Sequence, residues 1–327
     1  MGKSKSSTYN KTMAAVSLPA QIVRTSRFTF GVPGQFTVTP DGASVLFLRS
    51  RAGHDPLTCL WLLDLASGTE RLLATGIAGY ATDASATLAA FTLDGALWTV
   101  DVGTGQARRL PAQSPVTDPR PDPAGRRIAY LSRGALRVIE AGGTADRAIA
   151  TPDDPDDPDV AFGTADLTGT TSLTGSRGYW WAPDGARLLV ARMDSTDVPR
   201  WHIARWHIAD PANPAQPPRT VRYPAVGTVN PVVTLWIAAL DGSRTQVRWD
   251  IDAFEYLPGA GWDAHGPYAV VLSRDQRTVR FLRIDQATSK TFILNEQSDH
   301  CWVQLIPGLP ARSGDGALIA HADRPGT

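Results

Sequence analysis

Acidic side chains are concentrated in residues 151–159, which contain five Asp and three Pro. Calcium loops place acidic ligands at alternating positions around a glycine that makes the sharp bend. This run contains no glycine, and its prolines stiffen it. We therefore interpret it as a solvated loop, and a cation site is the alternative.

A second candidate for metal chemistry is a duplicated pentapeptide. Arg200–Ala204 reads RWHIA and is repeated at once as residues 205–209. His202 and His207 suggest zinc, but no third ligand is indicated nearby. Because five is an odd number, a strand that simply continued would turn each repeated side chain to the opposite face. We expect the extra copy to form a bulge or a longer loop, without metal chemistry.

The two cysteines, Cys59 and Cys301, are far apart and lack the spacing of a redox or metal motif. We interpret them as buried or inert thiols of a cytosolic protein.

The motifs of common enzyme classes are absent from the sequence. It contains no Gly-x-Ser-x-Gly nucleophile elbow, no P-loop, no HExxH and no dinucleotide-binding fingerprint. Without a nucleophile, no His or Asp can be assigned to a triad by its role. The sequence predicts no catalytic residue, no metal and no cofactor in this chain.

Charge and hydropathy exclude several classes of partner. The 327 residues include 32 basic and 32 acidic side chains, so no overall field favours nucleic acid or an anionic membrane. No stretch approaches the ~20 apolar residues that span a bilayer, and the N-terminus lacks the apolar region of a signal peptide. We expect a cytoplasmic protein with no nucleic-acid or membrane partner, and a disordered extension at residues 1–16.

The elements that must position any site follow a repeated pattern. Each unit has a polar turn such as Pro-Asp-Gly, two apolar strands, a turn with glycine and a basic-apolar strand. The copies cover residues 39–73, 88–110, 122–131, 183–191 and 268–291, and a further one begins near Trp302 and is cut short. Units of roughly 40 to 60 residues with about four strands predict β-propeller blades.

An aspartate closes the second strand of three units, at Asp64, Asp101 and Asp285. We expect each to accept hydrogen bonds from its own turn. A metal site is the alternative, but it would need carboxylates that converge, and these lie in different blades.

The most specific segment is residues 177–185, RGYWWAPDG, which reads as the start of a hairpin with both tryptophans in the blade core. With further motifs it resembles the propeller domain of dipeptidyl-peptidase IV-like serine peptidases, in the prolyl oligopeptidase family. The resemblance covers roughly residues 20–327. The further motifs are residues 26–29, 36–42, 194–200, 209–214, 219–224 and 227–231.

In that family an eight-bladed propeller precedes an α/β-hydrolase domain that carries the catalytic triad. The resemblance implies an all-β fold in which residues 17–327 form an incomplete propeller of about five to six blades, ending before closure. It also implies that this chain has no hydrolase domain. The intact family enzyme would act on peptides with a free N-terminus, and a homodimer is compatible with it.

The family holds the substrate's α-amino group with a Glu-Glu pair shortly before the tryptophan segment. The matching positions here are Thr171 and Ser172, whose hydroxyls can accept a hydrogen bond but cannot neutralise an ammonium. Asp166 is the remaining nearby carboxylate and is a candidate substitute anchor. The family's substrate-binding arginine matches no position in this sequence.

Three hypotheses for function follow. The leading one is the substrate-gating propeller portion of a dipeptidyl-peptidase IV-like enzyme that takes part in peptide proteolysis, inactive as this isolated chain. The alternative is a stand-alone, non-enzymatic propeller used for protein interaction. A third is a degenerate copy of the peptidase, based on the duplicated pentapeptide and the missing glutamates.

Overall fold

Antiparallel sheets follow one another along the chain. The structure is a computed structural model, and it describes residues 17–164, 177–203, 219–306 and 308–321. A short helix, α1 (Leu18–Arg24), precedes the sheets. The first sheet contains β1 (Gly34–Val38), β2 (Ser44–Ser50), β3 (Thr58–Asp64) and β4 (Glu70–Thr75). The second contains β5 (Tyr80–Thr82), β6 (Leu88–Leu93), β7 (Ala96–Asp101) and β8 (Ala107–Arg109). The third contains β9 (Thr117–Pro121), β10 (Arg127–Ser132), β11 (Ala135–Glu140) and β12 (Arg147–Ala150).

The fourth sheet has five strands, because two short strands share its first position. It contains β13 (Val160–Phe162), β14 (Tyr179–Trp181), β15 (Arg187–Asp194), β18 (Val232–Ala239) and β19 (Arg244–Val247). A separate hairpin, β16 (Arg200–Ile203) and β17 (Arg219–Arg222), lies between β15 and β18 in the chain. The fifth sheet contains β20 (Tyr256–Asp263), β21 (Gly266–Leu272), β22 (Thr278–Ile284) and β23 (Thr291–Ser298). A small pair, β24 (Ala311–Arg312) and β25 (Leu318–Ile319), follows.

This arrangement confirms the all-β prediction and the partial propeller. Within the described residues each of the five predicted repeats corresponds to one sheet, and the incomplete copy near Trp302 leads into β24 and β25. The first strand of one sheet contacts the first strand of the next at β5 and β9 and again at β14 and β20, so these strands lie innermost. The predicted disorder of residues 1–16 lies outside the described residues. Within the described residues, no helix has the length and apolar character needed to cross a membrane.

The two tryptophans of β14 fill the spaces on either side of the fourth sheet. Successive side chains on a strand point to opposite faces. Trp181 packs with residues of the third sheet such as Leu136, whereas Trp180 packs with residues of the fifth sheet such as Ala269. Both are less than 10% exposed, as Trp180 is 9% and Trp181 is 6% exposed. The prediction that they belong to the blade core is confirmed.

Asp64, Asp101 and Asp285 are turn residues, as predicted. The second strand of each predicted unit, at whose end they stand, is the third strand of the sheet in the structure. Oδ1 of Asp64 accepts hydrogen bonds from the backbone and hydroxyl of Ser67, at 2.7 and 2.8 Å. Asp101 does the same with Thr104 at 2.7 and 2.8 Å, and Asp285 is bonded in the same way by the turn that follows it. These hydrogen bonds lower the pKa of each carboxyl below its ordinary value.

A recurring arginine links each of the first three sheets to the next one. It stands near the start of the outermost strand and donates to backbone carbonyls in the turn between the third and fourth strands of the following sheet. The pairs are Arg71 with Val102 and Gly103, Arg108 with Ala141, and Arg147 with Leu240. In the fifth sheet the same register position is occupied by Phe292, which is 47% exposed.

Candidate functional site

The innermost strand of the fourth sheet is interrupted in the middle. β13 pairs with Arg192–Asp194 at one end of β15, and β14 pairs with Leu188–Val190 further along it. An antiparallel bridge between Thr164 and Arg177 closes the interruption. The two halves of the innermost strand are therefore joined at this bridge, at the two residues that flank residues 165–176 in the chain.

Two glycines make this closure possible. A Cβ on Gly178 would lie 2.2 Å from the carbonyl oxygen of Gly163, so no larger residue fits there. Gly163 has φ +77°, which favours glycine, and its own Cβ would meet Leu131 at 2.4 Å. Hydrogen bonds from Gly163 N to Ala191 O at 2.7 Å and from Ala191 N to Gly178 O at 2.8 Å fix both glycines to β15. We name this the glycine crossing.

The sequence-predicted anchors belong to the segment that begins and ends at this crossing. Thr171, Ser172 and Asp166 lie outside the described residues, so their assignment stays a prediction. What the structure describes is the frame around them, with Thr164 and Arg177 as the bridged end residues.

Polar side chains of the innermost strands gather next to the crossing. Arg120, in β9, forms an ion pair with Asp118 at 2.8 Å and lies over the ring of Tyr179, 6.0 Å from its centroid. Tyr179 is fully buried, and its hydroxyl is bonded to the carbonyl oxygens of Asp118 and Ala129, the latter at 3.1 Å. Burial raises the pKa of Tyr179 well above its ordinary value, which keeps the hydroxyl a neutral donor. Asp118 has φ +45°, a conformation that few non-glycine residues adopt, and burial raises the pKa of its carboxyl despite Arg120.

Arg177 is the end residue of the crossing that carries a charge. Its Nε donates to the carbonyl oxygen of Tyr179 at 2.9 Å, and its guanidinium lies 5.8 Å from the ring centroid of Trp180. Part of the residue is exposed to solvent, but protein surrounds its guanidinium on most sides. Desolvation of the guanidinium, together with the nearby charge of Arg120, lowers the pKa of Arg177 to about 10. It remains a cation at neutral pH. Sequence analysis missed this side chain, although it stands at the first position of the RGYWWAPDG segment.

The hairpin of β16 and β17 is fastened to the sheet by the last aspartate of the acidic run. Asp159 accepts from Nε of Arg222 at 2.8 Å and from Arg200 at 3.0 Å, and its Oδ2 is also bonded by Arg222. The run as described forms local turns, with Asp154 and Asp157 each accepting from a backbone amide two residues later. This supports the solvated-loop interpretation, with an added structural role for Asp159.

Residues 200–203 of the first copy of the duplicated pentapeptide form β16, and its last residue lies outside the described residues. His202 is exposed, and its Nδ1 lies 3.1 Å from the Thr220 hydroxyl across the hairpin. The second copy, with His207, lies outside the described residues. In the part of the chain that the structure describes, the group with three potential metal-ligand atoms close together is Asp299, His300 and Cys301, within 4.8 Å of one another. Cys59 is buried, whereas Cys301 is exposed.

Comparisons with known proteins agree with this geometry. Residues 88–319 match the model of the family described as the dipeptidyl peptidase IV N-terminal region. The chain is 28% identical over 184 residues to a protein of Aspergillus flavus named "Probable dipeptidyl peptidase 4", covering 54% of this chain and 23% of that protein. A protein of the same name from Neosartorya fischeri is 32% identical over 148 residues, covering 43% of this chain and 19% of that protein.

A solved structure shows the same fold. The crystal structure of Porphyromonas gingivalis dipeptidyl peptidase 4 aligns with a TM-score of 0.74 at 18% identity, covering 88% of this chain and 43% of that one. The chain thus spans less than half of the solved relative, and its matches span about a quarter or less of the curated relatives. The matched family region contains the glycine crossing, the tryptophan strand and the hairpin. The chain belongs to the family of the dipeptidyl peptidase IV N-terminal region and forms the propeller portion of such proteins.

Proposed function

We propose that this propeller gates peptide substrates and positions their N-terminus for a dipeptidyl-peptidase IV-like serine peptidase. The carrying observation is the interrupted inner strand of the fourth sheet, whose two halves are bridged at Thr164 and Arg177, so the 12 residues between them in the chain connect two neighbouring points of the sheet. The resemblance puts the family's amine-binding positions in this segment, at Thr171 and Ser172. A recognition segment whose two flanking residues are fixed to a sheet suits a module that selects substrates while another domain performs the chemistry.

Several aspects of the proposal concern the whole enzyme. The substrates are peptides with a free N-terminus, the reaction is removal of dipeptides, and a homodimer is the expected assembly of the intact enzyme. We place the protein in the cytoplasm, which fractionation of its source cells would test. The sequence of this chain contains no nucleophile elbow, so the reacting serine must come from a hydrolase domain.

An amidase assay tests the proposal. The 327-residue chain, alone and joined to the hydrolase domain of a relative, is incubated with an X-Pro dipeptide amide. We expect no turnover from the chain alone and measurable turnover from the joined protein. Turnover by the chain alone that a serine-directed inhibitor abolishes would refute its predicted inactivity. A joined protein that is folded, has an intact hydrolase domain and still binds no peptide would favour an interaction propeller.

A further inference from the structure

A cavity of about 250 Å³ lies between the inner strands of the fourth and fifth sheets, beside the glycine crossing. Arg177 and Trp180 form one wall, and Tyr268 of β21 forms another. The rest of the lining is uncharged, from β20, β21 and the segment before β24: Pro258, Gly259, Ala260, Val270, Gly308, Leu309 and Pro310. Binding pockets for drug-sized ligands begin at about 300 Å³, so this cavity suits a group the size of one amino-acid residue.

Among the described residues, the carboxylate that acts electrostatically on Arg177 is that of Asp118, which forms its ion pair with Arg120. The neighbouring arginines are both paired, Arg120 with Asp118 at 2.8 Å and Arg312 with Asp263 at 3.5 Å. Among the described residues, Arg177 has no carboxylate within ion-pair distance, and the one hydrogen bond found for its guanidinium uses Nε. With respect to the described residues, the two terminal nitrogens of Arg177 therefore remain as donors for a ligand.

A planar guanidinium with two terminal nitrogens binds carboxylates with two parallel hydrogen bonds. An ammonium ion in the same cavity would be repelled by Arg177 and would find no anion in its lining. Burial raises the pKa of Tyr268, so its hydroxyl stays protonated and can donate to the same anion. The tryptophan ring, the prolines and Leu309 suit an apolar side chain attached to that carboxylate.

We propose that this cavity binds the carboxylate of a residue-sized apolar group, with Arg177 as the ionic partner and Trp180 and Tyr268 as walls. The ligand class is the opposite of the ammonium group for which the family's glutamate pair is built. The inference goes beyond the proposed function and does not depend on a hydrolase domain.

The test compares four small probes on the full chain, by equilibrium titration followed with NMR. N-acetyl-leucine carries an α-carboxylate without an amine, N-acetyl-leucine amide carries neither charge, and leucine amide carries only an amine. N-acetyl-glutamic acid α-amide carries its carboxylate on the side chain. We expect N-acetyl-leucine to bind at least roughly tenfold more tightly than either amide, because they lack the charge-assisted pair. Weaker binding of the glutamate probe than of N-acetyl-leucine would support a carboxylate on an apolar group, and tighter binding of the glutamate probe would contradict it.

Variants locate the site. Arg177→Gln should weaken N-acetyl-leucine binding at least roughly tenfold, whereas the matched control Arg274→Gln, in an arginine paired with Glu255 at 3.1 Å, should not. Tyr268→Phe should weaken binding less than Arg177→Gln does. If the acid and its neutral amide bind the wild-type chain equally, if leucine amide binds best, or if no acid binds, the proposal is wrong. These comparisons hold even if a variant fails to fold, because they use the unaltered chain.

Discussion

Arg222 and Asp159 face each other with a guanidinium edge against both oxygens of a carboxylate, with Nε 2.8 Å from Oδ1. Arg200 reaches the same carboxylate at 3.0 Å from the other strand of the hairpin. The backbone oxygen of Asp159 accepts from the amide and hydroxyl of Ser195, both at 2.8 Å. One residue thus joins the end of the acidic run, both strands of the hairpin and the turn after β15.

This arrangement predicts a pH-dependent stability. Hydrogen bonds from Arg222, then Arg200, hold the pKa of Asp159 to about 2, below its ordinary 3.8. Because the folded-state pKa is depressed, the stabilisation is complete above about pH 4 and is lost as the pH falls towards 2.

Asp159→Asn should therefore lower the free energy of unfolding by about 1 kcal/mol at pH 6, after allowance for solvent screening. The difference between wild type and variant should shrink as the pH falls below 4. Chemical denaturation at several pH values measures it, with Asp153→Asn, an exposed aspartate of the same loop, as the control. A difference that is unchanged at pH 2 would contradict the ion-pair assignment.

Tyr179→Phe should destabilise the chain by about 1 to 3 kcal/mol, because removal of the hydroxyl breaks its hydrogen bonds to two carbonyl oxygens in the interior. Those carbonyls belong to Asp118 and Ala129 in the third sheet. The control is Tyr223→Phe, in a residue that is 47% exposed. Denaturant unfolding of the three proteins measures the effect, and equal stability would show that the hydroxyl makes no net contribution.

Gly178→Ala should destabilise the chain by roughly 3 kcal/mol or more, because the added methyl group meets backbone that cannot rotate away. The nearest atom is the carbonyl oxygen of Gly163, 2.2 Å from the new Cβ. Gly142→Ala is the matched control, since nothing lies within 4 Å of a Cβ there. Thermal unfolding compares the two, and similar melting temperatures would show that the strands need not approach so closely.

Restoring acidic residues tests the predicted amine anchor. Thr171→Glu with Ser172→Glu, in a protein joined to a hydrolase domain, should raise activity on dipeptide amides with a free N-terminus by roughly tenfold or more, because carboxylates pair with the ammonium. The same substrates with an acetylated N-terminus should show no gain. An equal gain on both would mean that these positions do not contact the amine.

Much of the fold could be predicted because its signals are local. The turns at Asp64, Asp101 and Asp285 are formed by residues within three positions of the aspartate, so the sequence pattern contains the whole interaction. The facing directions of Trp180 and Trp181 follow from strand periodicity alone. These local features allow the repeats and the blade core to be predicted from the sequence.

The interrupted strand and the site around it were not predictable in the same way. β13 is only three residues long, too short for alternation in the sequence to predict a strand, and it is defined by its pairing with β15. The Arg222 contact to Asp159 joins positions 63 residues apart, and the Tyr179 contact to Asp118 joins positions 61 apart. Arg177 begins the RGYWWAPDG segment, but nothing in that segment marks it as a ligand-binding residue. Its cavity forms only where the fifth sheet packs beside the fourth.

The glycine crossing has a consequence for how this protein can evolve. The crossing depends on Gly163, Gly178 and their hydrogen bonds to β15. Because these bonds are made by residues outside 165–176, we expect substitutions within that segment to leave the crossing intact, and selection on ligand preference to act separately from selection on stability. A lineage could exchange one recognition chemistry for another, or abandon recognition altogether, while its scaffold stayed recognisable for long afterwards.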